Sequence, residues 1–204
     1  MPETTWDGLP IADDDPRGAG VVTRRPSGGG TEYLLLHRHH EGPAYEGDWA
    51  WTSPSGARLP GEPVLTGALR ELGEEAGLFG VEIRPVDLSG GWAAFACEIP
   101  ATTPVVLDPE HDRYAWMTRT QALERLAPAS VATLFGRAAD VPLPRIAFET
   151  TGFDRTTVIL DGEPAGTAAY DGTLHVHVDA PDAVATQVIW VYLRDVLLPA
   201  DPAL

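Results

Sequence analysis

The sequence predicts a mixed α/β fold over about its first 140 residues, followed by a small β-rich extension that ends in a helix. Three observations indicate this division. Short strand-like runs alternate with amphipathic helical stretches up to residue 140, which is typical of a mixed sheet covered by helices. Residues 140–145 read DVPLPR, and their two prolines favour a linker. Beyond it, the turn signals LDGE and YDGT separate short strands, as in β-hairpins.

The chain therefore divides into a flexible, acidic N-terminal segment (1–17), an α/β domain (18–140) and a C-terminal extension (141–204). In the α/β domain we predict strands near 20–26, 31–38, 49–56, 81–86, 91–99 and 113–118, and helices near 63–77, 119–127 and 130–139. In the extension we predict strands near 146–150, 156–162, 165–172 and 173–180, and a last helix over 180–198.

Composition excludes several classes of protein. With 14 basic and 30 acidic residues, the net charge is 14 − 30 = −16, which argues against a nucleic-acid binder and against attraction to anionic membranes. All basic residues are arginine, so a P-loop lysine and a lysine nucleophile are excluded. The single Cys97 permits no internal disulfide. Without a signal peptide or a long apolar run, we expect a soluble, cytoplasmic protein.

An unusual cluster of acids lies in the predicted helix over residues 63–77, where Pro63 suits the first turn and Gly77 the C-cap. Glu71, Glu74 and Glu75 are spaced so that they share one helical face, where like charges destabilise a helix by a few tenths of a kcal/mol per pair. Carboxylate oxygens are the ligands that Mg²⁺ prefers, and a bound cation would cancel the repulsion. A solvated acidic face is the alternative.

The residues around this cluster, GARLPGEPVLTGALRELGEEAGL (56–78), resemble the Nudix box, G-x5-E-x7-R-E-U-x-E-E-x-G-U with U aliphatic. Every fixed position is matched: Gly56, Glu62, Arg70, Glu71, Glu74, Glu75 and Gly77. The preceding WTSPSG resembles the W-x-x-P-G-G approach to that box, with Ser55 where glycine is usual. The resemblance implies a Nudix-type α/β/α sandwich with a mixed sheet.

The resemblance also implies roles for the residues of the box. Glu71, Glu74 and Glu75 would bind Mg²⁺ (or Mn²⁺) together with the backbone carbonyl of Gly56. Arg70 would orient a carboxylate through an ion pair. Glu62 would brace the loop.

Outside the box, the resemblance implies a further acid in LDPEHDRYAW, where Glu110 is the candidate and His111 and Asp112 are competitors. Arg38 stands where the family often has an arginine that could contact phosphate. Trp49, Trp51 and Phe95 could stack on a base, with Trp51 as a candidate substrate-binding residue, although aromatic residues in strands more often belong to the core.

The extension is not explained by the box. His175 and His177 share one strand face, where an exposed face is favoured over a metal pair because no third ligand is identified. The last helix carries more apolar residues than one face needs, so we expect it to pack on the sheet of the extension and on a second surface, which suggests a homodimer.

The function that the resemblance implies is Mg²⁺-dependent hydrolysis of a nucleoside diphosphate linked to another group, X, by attack of water at phosphorus. Glu75 and Glu110 are the candidates for the general base. Subfamily marks for ADP-ribose, dinucleoside polyphosphates and coenzyme A are missing, which favours a nucleoside triphosphate or a loosely selective enzyme. Two alternatives stay open: a Nudix-fold sensor that binds a nucleotide without cleaving it, and an isomerase that uses Cys97.

Overall fold

The computed structural model describes residues 4–5, 8–150, 152 and 155–198, and these contain two sheets and four α-helices. The larger sheet has seven strands: β1 (Gly18–Ser27), β2 (Gly30–Arg38), β3 (Trp51–Thr52), β4 (Ser55–Ala57), β5 (Arg84–Asp87), β6 (Trp92–Glu98) and β7 (His111–Met117). Its central order is β3-β2-β1-β6-β5, with β4 paired to β1 and β7 to β2. β1 and β6 run parallel while the other pairs are antiparallel, so the sheet is mixed, as predicted.

Three helices cover this sheet: α1 (Val64–Ala76), α2 (Arg119–Arg125) and α3 (Ala129–Ala139). Neighbouring strand residues point to opposite faces, so Val21 packs in the core under α1 and Val22 in the core under α2 and α3. Leu34 and Leu35 in β2 divide between the two cores in the same way. The predicted α/β/α sandwich is therefore confirmed.

The extension forms a separate antiparallel sheet of four strands, β8 (Ile146–Thr150), β9 (Arg155–Leu160), β10 (Glu163–Tyr170) and β11 (Leu174–Val178). The last helix, α4 (Asp182–Tyr192), covers this sheet and continues as a π-helical segment, Leu193–Leu197. The end of α3 at Ala139 and this second sheet support a domain boundary near residue 140, which we propose as the division of the chain.

The second surface under α4 belongs to the α/β domain of the same chain. Trp190 packs against the core under α1, and the side-chain amide of Gln187 donates to the Pro142 carbonyl oxygen (3.0 Å). Arg194 lies 3.6 Å from Glu82. Part of the apolar excess of this helix is thus used within the chain, while Ile189 stays 38% exposed, and the homodimer stays a prediction. Among the described helices, none is long and apolar enough to cross a membrane.

The N-terminal segment also differs from its prediction, because residues 12–17 are anchored rather than flexible. Ala12 is fully buried, and its N–H donates to the Arg58 carbonyl oxygen (2.8 Å). The buried Arg58 guanidinium donates to the carbonyl oxygens of Pro16 and Asp14 (both 2.9 Å). Arginine supplies several donors in a fixed geometry, so one residue of the α/β domain holds this stretch of backbone.

Candidate active site

Helix α1 begins after Pro63 and ends at Gly77, whose left-handed φ of 68° lets its N–H bond back to the Gly73 carbonyl oxygen (3.0 Å). One face of the helix is buried in the core through Leu65, Ala68, Leu72 and Ala76. The three glutamates lie next to that face and differ in how exposed they are. The side chains of Glu75, Glu71 and Glu74 are 6%, 13% and 56% exposed, so two carboxylates are withdrawn from water and one faces it.

Arg70 joins the carboxylates of the box. Its guanidinium donates to Glu62 (2.9 Å), Glu71 (2.7 Å) and Glu74 (3.0 Å). A fourth donor reaches the Ala57 carbonyl oxygen (3.0 Å). The hydrogen bond to Glu62 is the largest cause that raises the Arg70 pKa above its ordinary value, so the guanidinium stays charged. Arg70 therefore orients Glu71 and Glu74 and ties α1 to β4.

Glu62 is held from the loop side as well, because the Leu59 N–H donates to its Oε2 (2.9 Å). Burial alone would raise the Glu62 pKa, but the hydrogen bonds from Arg70 and Leu59 leave it lowered. These contacts are those of a residue that braces the loop.

The strand predicted near residues 49–56, which approaches the box, consists of two short strands in the structure, β3 and β4. Residues Ser55–Ala57 form β4, in which Gly56 pairs with Ala19 of β1. A Cβ at Gly56 would lie 2.1 Å from the carboxylate carbon of Glu71, so glycine lets that carboxylate lie directly against the strand.

The ladder between β1 and β4 decides which carbonyls face the glutamates. The Val21 N–H donates to the Pro54 carbonyl oxygen and the Arg58 N–H to that of Arg17 (both 2.8 Å). Antiparallel ladders alternate, so the carbonyl of Gly56 faces β1, whereas Ser55 directs its backbone groups toward α1. The Ser55 N–H indeed donates to Glu75 Oε2 (2.8 Å). The prediction that the Gly56 carbonyl is a metal ligand is therefore wrong in this geometry, and Ser55 offers the outward carbonyl.

Both withdrawn glutamates have a pKa above the ordinary value of a glutamate. Burial raises the pKa of Glu75 well above its ordinary value, although the bond from Ser55 lowers it. Burial is also the largest cause of the raised Glu71 pKa, which Arg70 opposes and Glu74 and Glu110 increase. Arg70 offsets part of the cost of ionising Glu71, and a divalent cation would reduce that cost for both carboxylates.

His111 lies next to this pair and was one of the competitors predicted from the sequence. Its side chain is fully buried, with Nδ1 2.8 Å from Asp108 Oδ1 and Nε2 4.0 Å from Glu75 Oε1. Among the described residues, Nε2 has no hydrogen-bond partner. Burial lowers the His111 pKa, which favours the neutral ring. Asp112 instead faces away, with Oδ1 2.7 Å from His37 Nδ1.

Arg38 lines two clefts, one of which is also lined by Ser55, the residue that donates to Glu75. The smaller, about 390 Å³, is lined by Arg38, His39, His40, Pro109 and Glu110. The larger, about 560 Å³, lies between the β3–β4 region and α3. The predicted candidates Arg38 and Glu110 are therefore brought to the mouth of the site, in a size range that holds small ligands.

Trp51, in contrast, does not line either cleft. It is 4% exposed, its indole N–H donates to Glu46 (2.7 Å), and its ring packs edge-on against His37. Phe95 is fully buried in the core under α1. The prediction of Trp51 as a substrate-binding residue is therefore wrong in this structure, because the strand turns its ring into the core. The exposed aromatic residues at the larger cleft are Trp49 and Trp92, and the sequence analysis did not single out Trp92.

The donors fit a hard divalent cation in kind. They are the carboxylates of Glu71, Glu74 and Glu75 and the outward carbonyl of Ser55, and Mg²⁺ favours such oxygen ligands. Within the described residues, no three acidic, histidine or cysteine side chains converge as a ready-made cation cage. Arg70 binds one oxygen of Glu71 (Oε1) and one of Glu74 (Oε2).

Two other candidate centres are not supported. The Cys97 thiol is buried in the sheet, donates to Thr23 Oγ1 (3.4 Å), and has its pKa raised by burial to about 11, so it is a poor nucleophile. His175 and His177 lie on one face of β11, and both are exposed, with His175 3.3 Å from Asp171. The described residues supply no third ligand there.

The fold is an α/β/α sandwich in which the glutamates of α1 face the short strand β4. This arrangement defines a class of protein that can bind a cation through oxygen ligands alone. The family model of the NUDIX domain matches residues 14–135. The chain belongs to the Nudix family, and with it to the hydrolases that act on phosphoric anhydride bonds. No curated protein matches the sequence.

Several solved structures are similar to this chain. An Ap4A hydrolase of C. elegans in a binary complex is 25% identical, with a TM-score of 0.48 over 59% of this chain and 92% of that one. The Nudix hydrolase RenU of M. smegmatis is 24% identical, with a TM-score of 0.48 over 71% and 98%. A MutT protein of Methanosarcina mazei Go1 is 26% identical, with a TM-score of 0.42 over 59% and 89%.

Proposed function

We propose that this protein is a Mg²⁺- or Mn²⁺-dependent pyrophosphohydrolase that cleaves a nucleoside diphosphate linked to another group. The observation that carries the proposal is the pair of withdrawn carboxylates, Glu71 and Glu75, set against β4 beside two clefts. The packing of α1 does not require two buried carboxyl groups with raised pKa values. Such groups are typical of a functional site, here one that a cation would complete.

The ligands would be Glu71, Glu74, Glu75 and the outward carbonyl of Ser55. When bound, a divalent cation supplies charge neutralisation for the phosphates and lowers the pKa of the attacking water. The protein has a net charge of −16, so a polyanionic substrate depends on that neutralisation to approach.

The chain's own residues position the reacting groups. Arg70 orients Glu71 and Glu74, and Arg38, at the junction of the clefts, can donate to a phosphate oxygen. Glu110 is half-buried in the smaller cleft, close enough to raise the pKa of Glu71. We assign it the proton of the attacking water, because it lines the smaller cleft, whereas the Glu75 side chain is only 6% exposed. Water oxygen bonds to phosphorus as the bridging oxygen leaves with the other phosphate.

The proposal is tested by incubating the protein with Mg²⁺ and nucleoside triphosphates, nucleotide sugars, ADP-ribose or dinucleoside polyphosphates. Phosphate would be measured with and without an added phosphatase, for the wild type and for Glu74→Gln. We expect metal-dependent turnover that falls at least 100-fold in Glu74→Gln, because loss of a cation ligand costs several kcal/mol of barrier. Glu163→Gln, at an exposed site in β10, is the matched control and should retain full turnover.

Wild-type turnover in Glu74→Gln would overturn the assignment of this ligand. If the wild type turns over none of these compounds but binds one nucleotide tightly, the proposed function is wrong and the protein is a nucleotide sensor.

A further inference from the structure

Strand β11 forms one edge of the small sheet, and within the described residues β10 is the only strand paired with it. Exposed edges are normally protected against further pairing by charged side chains, proline or a β-bulge. The sequence of β11, LHVHV, contains no lysine, arginine, acid or proline, and its ladder with β10 has no register shift. The other edge, β8, carries the exposed Glu149. The edge at β11 is therefore open to another strand.

The ladder with β10 decides which backbone groups of β11 point away from the sheet. The Asp179 N–H, just after the strand, donates to the Ala165 carbonyl oxygen (2.9 Å). Hydrogen-bonded pairs alternate along an antiparallel ladder, so the two histidines of β11 bond to β10. The three apolar residues of the strand, Leu174, Val176 and Val178, direct their N–H and C=O groups to the outer side. These are the groups that a further strand would use.

The side chains of β11 divide between the two faces of the small sheet. Leu174, Val176 and Val178 pack in the core under α4. His175 and His177 are exposed on the opposite face, outside the candidate active site. A strand added at this edge would therefore extend the apolar face on one side and meet two imidazoles on the other.

Two copies of β11 are complementary to each other when they run antiparallel about Val176. Because its backbone groups point outward, Val176 of one copy forms a hydrogen-bonded pair with Val176 of the other, and Leu174 pairs with Val178 of the second copy. Each such pair exchanges two N–H···O bonds, so about six backbone hydrogen bonds form across the edge. The apolar side chains meet on the α4 side, and two four-stranded sheets become one continuous sheet.

The charges of the chain also suit a second copy at this edge. With a net charge of −16, two copies repel each other over most of their surfaces. In the register about Val176, His175 lies opposite His177 of the second copy, and Asp179 lies opposite Thr173. Over residues 173–179, no carboxylate is therefore placed opposite another.

We propose that β11 binds a second copy of this chain by antiparallel pairing centred on Val176, which joins the small sheets of two protomers. The contact lies at the edge of the sheet, and not on the apolar surface of α4 that suggests a homodimer in the sequence. It is independent of the function proposed for the α/β domain. His175 and His177 form the exposed side of the seam, where uncharged imidazoles can lie side by side.

The first test is analytical ultracentrifugation of the full chain over the micromolar range, for the wild type and for His175→Glu/His177→Glu. We expect a monomer–dimer equilibrium in the wild type. The double variant places carboxylates opposite carboxylates twice, so its dimer should be weaker by about tenfold or more. His175→Glu alone is the control, because it places each carboxylate opposite an imidazole and should dimerise at least as well as the wild type. Both side chains are exposed, so the protomer should fold in each case.

The second test is disulfide cross-linking, which reports the register. The Cα atoms of the two Val176 residues would lie about 5.5 Å apart, within the span of a disulfide, whereas the two His177 residues would be diagonal neighbours about 7–8 Å apart. Val176→Cys should therefore form a covalent dimer under mild oxidation, and the more exposed His177→Cys should form much less. Cys97 is buried and does not compete.

Three results would overturn the proposal. A chain that stays monomeric throughout the range would leave the edge to an extended segment of a different protein. A dimer of equal strength in His175→Glu/His177→Glu would place the contact elsewhere, such as on α4. Equal cross-linking of the two cysteine variants would show collision rather than pairing. If Val176→Cys does not fold, the comparison of the two glutamate variants decides.

Discussion

Helices α1 and α4 are similar in length, but they use their surfaces differently. α1 packs one apolar face on the large sheet, and its glutamates face the loop and the strand that precede the helix. α4 is apolar on several sides, and packs on the small sheet through Val188 and on the α/β domain through Trp190. Chemistry requires particular residues at fixed spacing, whereas packing requires only volume and hydrophobicity. A function can therefore be predicted from the sequence of α1, but not from the sequence of α4.

The sharpest test of this contrast is Gly56→Ala, which adds one methyl group beside α1. The new Cβ would meet the Glu71 carboxylate, so that carboxylate must move away from β4. We expect kcat/KM to fall about 10- to 100-fold, because small misplacements of reacting groups have effects of that size. Gly28→Ala, at a position where a Cβ meets nothing within 4 Å, is the control for assay and folding. Equal activity of both variants would remove Glu71 from the site.

Trp190→Ala tests the other side of the comparison. Truncation removes contacts between α4 and the core under α1, so we expect a loss of about 2 kcal/mol in the free energy of unfolding, below the usual range because the ring is only partly buried. The kcat/KM of the folded fraction should stay within about twofold, since the residue lies outside the site. Urea unfolding followed by kinetics separates the two quantities. Lost activity with unchanged stability would show that α4 serves the site directly.

The withdrawn position of Glu75 predicts a dependence of stability on pH. Its folded-state pKa is raised, so its contribution to stability is complete below the unfolded pKa and is lost as pH rises through the folded pKa. In EDTA, Glu75→Gln should therefore melt at a higher temperature than the wild type at pH 8, and the difference should shrink toward pH 4. Thermal scans across this range measure it. A difference that is constant with pH would contradict burial of an ionisable carboxyl.

The smallest expected effect is that of Gly136→Ala in α3. A Cβ there meets nothing within 4 Å, and alanine reduces the conformational entropy of the unfolded chain. We expect the free energy of unfolding to rise by about 0.5–1 kcal/mol, with unchanged kcat/KM. Chemical denaturation checks the gain. A loss of stability would indicate that α3 is packed more tightly on this side than the contacts show.

Local patterns predicted much of the fold. Pro63 and Gly77 bounded α1 within one residue, and the strands predicted near residues 20–26 and 31–38 correspond to β1 and β2. The proposed N-terminal flexibility was wrong for residues 12–17, because Arg58, which holds them, is distant in sequence. The suggestion of a dimer rested on the apolar excess of α4, and a single sequence does not tell which surface covers such a helix.

The sequence by itself determined the family and the order of the carboxylates on α1, because spacing along one helix is a local property. The tertiary structure decided which groups face one another. It turned the Gly56 carbonyl toward β1 and that of Ser55 outward, since this depends on the register of two strands. It also buried Trp51 and exposed Trp49 and Trp92, because the direction of a side chain follows from the twist and pairing of the backbone rather than from residue type.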